Sequence, residues 1–162
     1  MSVQSVRALF EQAGLGHLVR YNEVVSDTVA NAAAMLHCKE AQIAKTMSFL
    51  VGEEPIVIVS SGDAKIDNAR YKAVFATKAK MIPYEQVENY TGHIPGGICP
   101  FACKEGVKVY LDESLKRFDV AYTGGGDEHN IVEVTIPILE RFTGYVEWLD
   151  VCKGWREEEN NG

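Results

Sequence analysis

Lys45 heads an apolar segment, Ile43-Ala44-Lys45-Thr46-Met47-Ser48-Phe49-Leu50-Val51, whose pattern predicts a buried or half-buried strand. Downstream lies a run of glycines and prolines, Thr91-Gly92-His93-Ile94-Pro95-Gly96-Gly97-Ile98-Cys99-Pro100-Phe101-Ala102. Desolvating an ammonium is costly, so a lysine in such a strand either snorkels to solvent or faces a cleft holding something it can pair with. Glycines let backbone amides approach a ligand closely, and prolines hold a loop in shape. Together the two segments suggest a binding cleft with a cation on one wall and bare backbone on the other. Blander readings stand beside this one. The loop would also serve as a rigid connection, Cys99 as a small buried apolar residue, Thr46 as a strand former and His129 as an exposed turn residue. No Ser-His-Asp arrangement is evident.

These residues need elements to position them. Residues 3–13 read as an amphipathic helix with Val6, Leu9 and Phe10 on one face and Gly14 as its stop. Residues 17–25 have extended character. Ser26 or Asp27 is placed to cap a second helix through Ala30, Ala33, Ala34 and Leu36. The strand from Ile43 turns at Gly52-Glu53-Glu54-Pro55 and returns as Ile56-Val57-Ile58-Val59, a hairpin. Helices are expected over 67–77, capped by Asp67, and over 83–90, with Pro83 in the first turn. Short strands follow at 107–111, 120–123 and 131–134, with a helical turn at 114–117, a short helix at 137–142 and a last extended piece at 145–149. Strands and helices in no regular alternation point to an α+β fold. Gly124-Gly125-Gly126 sits between two strands and opens no helix, so it is not a dinucleotide fingerprint.

The length of 162 residues fits one domain, with 46% hydrophobic and 24% charged residues. No apolar run is long enough for a membrane span, and the N-terminal residues lack the pattern of a signal peptide. A cytoplasmic protein with no membrane partner is the expectation. Cys38, Cys99, Cys103 and Cys152 form no CxxC pair and read as free thiols; with His93 they match no zinc spacing, so no metal is expected. The net charge of −7 argues against a protein that coats nucleic acid nonspecifically, and no DNA partner is expected. Charge is nevertheless uneven. Lys65, Arg70, Lys72, Lys78 and Lys80 face only Asp63 and Asp67 in their stretch, and residues 156–162 form an acidic tail. The basic stretch reads either as a grip on one phosphate backbone or as a solvated helix face.

The Ala-Lys-Thr opening of the strand, the hairpin return ending in Ser-Gly-Asp, the Thr-Gly followed by Ile-Pro-Gly-Gly-Ile-Cys-Pro-Phe, and the Gly-Gly-Gly turn before Val-Glu-Val occur in that order. In this combination the chain resembles the YbaK-like family, which shares its fold with the editing domain of bacterial prolyl-tRNA synthetases. The resemblance spans residues 20–150 or so, within a single domain of 162 residues. It implies a strongly curved, mixed, largely antiparallel sheet, barrel-like, with surrounding helices. It also implies hydrolysis in trans of mischarged aminoacyl-tRNA, often proline tRNA bearing cysteine or another small amino acid, without cofactor or metal. A second hydrolytic site is needed because small pockets discriminate poorly between similar amino acids. The family lysine matches Lys45 and the family loop matches residues 92–100. Gly96 and Gly97 would offer backbone amides to the aminoacyl group or the oxyanion. Lys45 would orient the substrate, or act as a base if burial lowers its pKa. Tyr21, Thr46, Ile98, Cys99, Pro100, Asp127 and His129 would bind substrate. The basic stretch would hold the tRNA acceptor end. Lysine followed by threonine looks like the cysteine-directed members. The nucleophile would be water or a group on the substrate. The expected partners are aminoacyl-tRNA and, with it, prolyl-tRNA synthetase. The rival reading is a non-catalytic module of the same fold that binds tRNA or a synthetase.

Overall fold

The computed structural model describes residues 2–25 and 28–156. Helix α1, Ser2–Gln12, buries Val6 and Phe10 completely, two residues one turn apart on one face. Phe10 meets Phe101 edge-on, with centroids 4.9 Å apart, and lies 4.9 Å from Phe142. The helix stops at Gly14, whose φ of 75° is open to glycine without strain. A 3₁₀ turn, Gly16–Leu18, leads into β1, Val19–Tyr21, so only part of the expected extended stretch is a strand. Helix α2, Val29–Leu36, is capped by Thr28, whose side chain accepts from the Asn31 amide at 3.0 Å. The expected caps, Ser26 and Asp27, lie outside the described residues, as does most of the acidic tail.

Strands β2, Ala44–Val51, and β3, Glu54–Ser61, form the predicted hairpin, in register from Ala44 opposite Ser61 to Val51 opposite Glu54. A two-residue strand β4, Lys65–Ile66, precedes α3, Asn68–Phe75. Asp67 caps α3 as expected, accepting from Ala69 at 2.9 Å and Arg70 at 3.2 Å. A 3₁₀ turn, Tyr84–Gln86, runs into α4, Val87–Thr91. The glycine–proline loop contains a 3₁₀ turn, Pro95–Gly97. Then follow β5, Lys108–Asp112, a 3₁₀ helix, Glu113–Arg117, β6, Ala121–Gly124, β7, Asn130–Val134, and α5, Ile136–Phe142. The last strands are β8, Glu147–Leu149, and β9, Cys152–Lys153.

The α+β class holds, with a mixed sheet. The strands make a four-stranded sheet β2-β3-β5-β8, a three-stranded antiparallel sheet β1-β7-β6, and the pair β4-β9. Within the first, β3-β5 and β5-β8 run parallel. A bridge between Ile43 and Tyr122 joins the first two sheets, and no closed barrel forms among the described residues. The four-stranded sheet is covered on both faces. One face packs Ala44, Val59 and Leu111 with α1 and α5; the other packs Phe49, Ile56 and Ile58 with Tyr71 and Leu149. Double coverage explains why Ile56, Val57, Ile58 and Val59 read as an unbroken apolar run.

Because side chains alternate along a strand, β2 sends residues to two different places. Lys45, Met47 and Phe49 point to the α3 side; Ala44, Thr46, Ser48 and Leu50 point the other way. That alternation decides the geometry of the candidate site.

Candidate active site

A cavity of about 110 Å³ opens between α2, the start of β2, β6 and the glycine–proline loop. Thr28, Val29 and Ala32 supply its helical wall, Ile43 and Tyr122 its floor, and Gly96, Gly124 and Asp127 its rim. Asp127 is held firmly. Its Oδ1 accepts from the His129 amide at 2.9 Å, the Asn130 amide at 2.9 Å and the Asn130 side chain at 2.8 Å. Partial burial alone would raise its pKa; the bonds from Asn130 and His129 outweigh it and hold the carboxyl below its ordinary value. The cavity therefore has an ionised carboxylate at its edge.

Beside it, Tyr21 stacks on His129, with centroids 5.6 Å apart and planes 23° apart, and is 62% exposed. His129 Nδ1 donates to the Asn22 carbonyl at 2.9 Å, which fixes the ring under Tyr21. These two residues form an aromatic step near the glycine turn.

The loop divides. Gly96 is exposed and borders the cavity. Gly97 is buried, its N–H donates to Ile94 at 2.8 Å, and a Cβ there would lie 2.1 Å from the Gly126 carbonyl oxygen. The Gly97 amide is thus engaged within the loop itself, and glycine is needed there because the loop presses on the Gly126 backbone. Ile98 is half-buried against Leu50, Ile82 and Val87. Cys99, expected in the pocket, is fully buried in the core with Phe10 and Phe101, its thiol pushed upward by burial. Pro100 is buried too. The apolar chain around Cys99 wins because loop residues 98–101 plug the space between α1 and α4.

Lys45 borders a separate groove on the other face of β2, with Met47 and Phe49 from the strand and Lys65, Ile66, Asn68, Ala79 and Met81 opposite. Its pKa is lowered, first by burial. Its nearest potential counter-charges are both committed or silent. The Cys152 thiol is pushed up to about 12, chiefly by burial, and is neutral at pH 7. Asp63 is bound by Arg117 at 2.6 Å and by the Ser61 hydroxyl at 2.6 Å. Among the described residues no carboxylate forms an ion pair with Lys45. An adjoining groove, sharing Asn68 and Ala79, carries Lys72 and Lys78. Lys45, Lys65, Lys72 and Lys78 therefore line adjoining grooves that share Asn68 and Ala79, with no acidic residue on their walls among the described residues. Arg70 stands apart: it pairs with Asp150 at 3.0 Å, next to Asp67. Lys80 is exposed, and its carbonyl accepts from Leu50 at 2.9 Å.

Thus the structure brings Gly96, Asp127, His129 and Tyr21 to one side of β2 and Lys45 with three of the basic residues to the other. Thr46 turns away from Lys45, its Oγ1 buried without a hydrogen-bond partner among the described residues. Sequence reasoning missed the helical wall, Thr28 and Ala32, and the strand residues Tyr122 and Thr123. The alanine-rich stretch of α2 was the available signal: small residues let a helix lie close to a sheet. Among the described residues no three His, Cys, Asp or Glu side chains gather as metal ligands.

Comparison with known proteins identifies the family. The aminoacyl-tRNA editing domain matches residues 24–142. Uncharacterized protein YwhH of Bacillus subtilis is 40% identical over 156 residues, covering 96% of this chain and 99% of that protein. Proline–tRNA ligase of Streptococcus mutans is 23% identical over 136 residues, 83% of this chain but only 22% of the ligase. A crystal structure described as a candidate trans-editing enzyme for prolyl tRNA synthetase superposes with a TM-score of 0.83 at 25% identity, covering 94% of this chain and 98% of that one. With a match over most of its length and a full-length relative at this identity, the chain belongs to the aminoacyl-tRNA editing domain family.

Proposed function

We propose that this protein hydrolyses the ester of mischarged aminoacyl-tRNA in trans, removing cysteine or another small amino acid from proline tRNA. The observation that carries the reading is the small cavity rimmed by Gly96, Gly124 and the ionised Asp127, with a lysine furrow behind it. A space of about 110 Å³ has room for a small aminoacyl group. Asp127 offers a charge partner for the α-ammonium of that group. Bare backbone at Gly96 lets the ester carbonyl approach amide donors.

Chemistry then needs little from side chains. Water, or the thiol of a cysteinyl substrate, attacks the ester carbonyl; the developing oxyanion is held by backbone donors; and the ribose oxygen leaves with a proton. Lys45 acts by orienting substrate. Its unpaired ammonium in the furrow favours a phosphate of the acceptor end over the carbonyl, which lies on the far side of β2. Lys65, Lys72 and Lys78 extend the same contact. Prolyl-tRNA synthetase as a partner fits the resemblance to ligases that carry this domain within a longer chain.

The test is deacylation of proline tRNA charged with cysteine, alanine, serine or proline. Faster release of a small non-cognate amino acid than of proline is expected. Tight tRNA binding with no release of any amino acid would favour the non-catalytic module instead.

A further inference from the structure

We propose that His93 is a positioning residue: it pins the Pro95–Gly97 turn to the start of α1 and so fixes Gly96 in the cavity wall. His93 is fully buried, and both of its ring nitrogens are used. Nε2 lies 2.7 Å from the Phe101 carbonyl oxygen, which can only accept, so Nε2 carries the proton. Nδ1 is then the acceptor and takes the hydroxyl hydrogen of Ser2, the first residue of α1. The His93 amide donates to Thr91 Oγ1 at 3.1 Å, and that hydroxyl donates on to Val87 at 2.8 Å. The imidazole thus joins the helix start to the far side of the loop, and the His93 backbone amide ties the same residue to the end of α4.

Two close backbone approaches complete the circuit. A Cβ on Gly97 would sit 2.1 Å from the Gly126 oxygen, and a Cβ on Gly126 would sit 2.8 Å from the Val3 nitrogen. The start of α1 therefore supports the Gly124–Asp127 turn from behind, while His93 ties the same helix start to the loop. Gly96, Gly124 and Asp127, the cavity rim, hang on this frame. Packing alone would be satisfied by an apolar side chain of similar volume. Two directional bonds on opposite ring nitrogens specify the orientation of the loop as well as its presence. Burial also lowers the pKa of the imidazole and keeps it neutral, the form this pairing requires.

The kinetic part of the test rests on the deacylase reading; a second readout does not. Ser2→Ala removes one donor at a partly exposed helix start, and Ser2→Thr retains the hydroxyl. Amide hydrogen exchange of residues 94–97 is followed by NMR in the protein alone, and kcat and KM are measured on mischarged tRNA. Loss of one net hydrogen bond corresponds to about three- to tenfold. Ser2→Ala is expected to speed exchange of the Gly97 amide by that factor and to lower kcat similarly, with KM for tRNA changed by less than about twofold because the furrow is untouched. Ser2→Thr should restore both, and His93→Leu should reproduce the faster exchange and the lower kcat, with a lower unfolding temperature as well because the buried Phe101 carbonyl loses its donor. Unaltered exchange in both Ser2→Ala and His93→Leu overturns the proposal, as does a rise in KM with kcat intact. If the wild-type protein releases no amino acid, the deacylase reading falls while the exchange result still decides the role of His93.

Discussion

Alanine at Gly97 and alanine at Gly96 should have opposite consequences, although the two glycines are neighbours. A Cβ on Gly97 would meet three backbone atoms, at 2.1 Å from the Gly126 oxygen, 2.4 Å from its carbonyl carbon and 2.8 Å from the Asp127 nitrogen. Backbone cannot rotate away, so the loop and the turn must separate by about 1 Å to restore ordinary carbon contacts of about 3.5 Å. Overpacking of this kind costs about 1–3 kcal/mol. In a domain of this size each kcal/mol is worth about 2–4 °C, so Gly97→Ala should unfold about 2–12 °C below wild type. A Cβ on Gly96 would instead meet Glu128, with Oε1 at 2.7 Å, the end of a flexible side chain. Gly96→Ala should stay within about 0.5 kcal/mol of wild type. It adds a methyl group at the cavity rim, however, and should slow deacylation of the bulkier non-cognate amino acids first. Thermal unfolding by circular dichroism, run beside deacylation rates, separates the two. A Gly97→Ala protein that unfolds at the wild-type temperature would refute the packing argument.

Three further outcomes follow from the geometry. Lys45→Met keeps the stem and removes an unpaired, half-buried ammonium, so the unfolding temperature should hold; deacylation at limiting tRNA should fall about 10–100-fold, the worth of a charged hydrogen bond, and wild-type rates would exclude Lys45 from the site. Lys65→Glu with Lys78→Glu should weaken tRNA binding and lower its salt slope by about one per lysine, whereas Arg70→Glu should chiefly destabilise the fold by opposing Asp150 at 3.0 Å; binding measured across a salt series, with unfolding curves, checks both. His93 has a folded pKa below its ordinary 6.5, so the unfolded chain takes up a proton that the folded one refuses. Stability from this source is complete above pH 6.5 and drains as pH falls below it, and His93→Gln should flatten that part of a chemical-denaturation pH series.

Local signals in the sequence carried far. The Val6–Phe10 spacing, the Asp67 cap and the turn at Gly52 each act within a few residues, and α1, α3 and the β2-β3 hairpin follow from them. Long-range pairing was not legible: β5 lies parallel between β3 and β8, and the two-residue strands β4 and β9 find each other only because the chain returns past α3. At the site, residue types were readable but facing was not. Lys45 and Thr46 are adjacent in sequence and belong to opposite faces of β2, so the cation and the glycine rim are separated by the strand itself. Cys99 looked like part of the loop's ligand surface, yet its neighbours Phe101 and Phe10 draw it into the core. Gly96 and Gly97 look equivalent in the sequence; only the position of Gly126 distinguishes them.

The most direct test of the account is the rate at which purified protein releases cysteine, alanine, serine and proline from separately charged proline tRNA, measured with Lys45→Met alongside. The account predicts that a small non-cognate amino acid is released well above the spontaneous rate, that proline is largely spared, and that the variant loses most of this activity. Release indistinguishable from spontaneous hydrolysis for every amino acid, with tRNA bound, would contradict it.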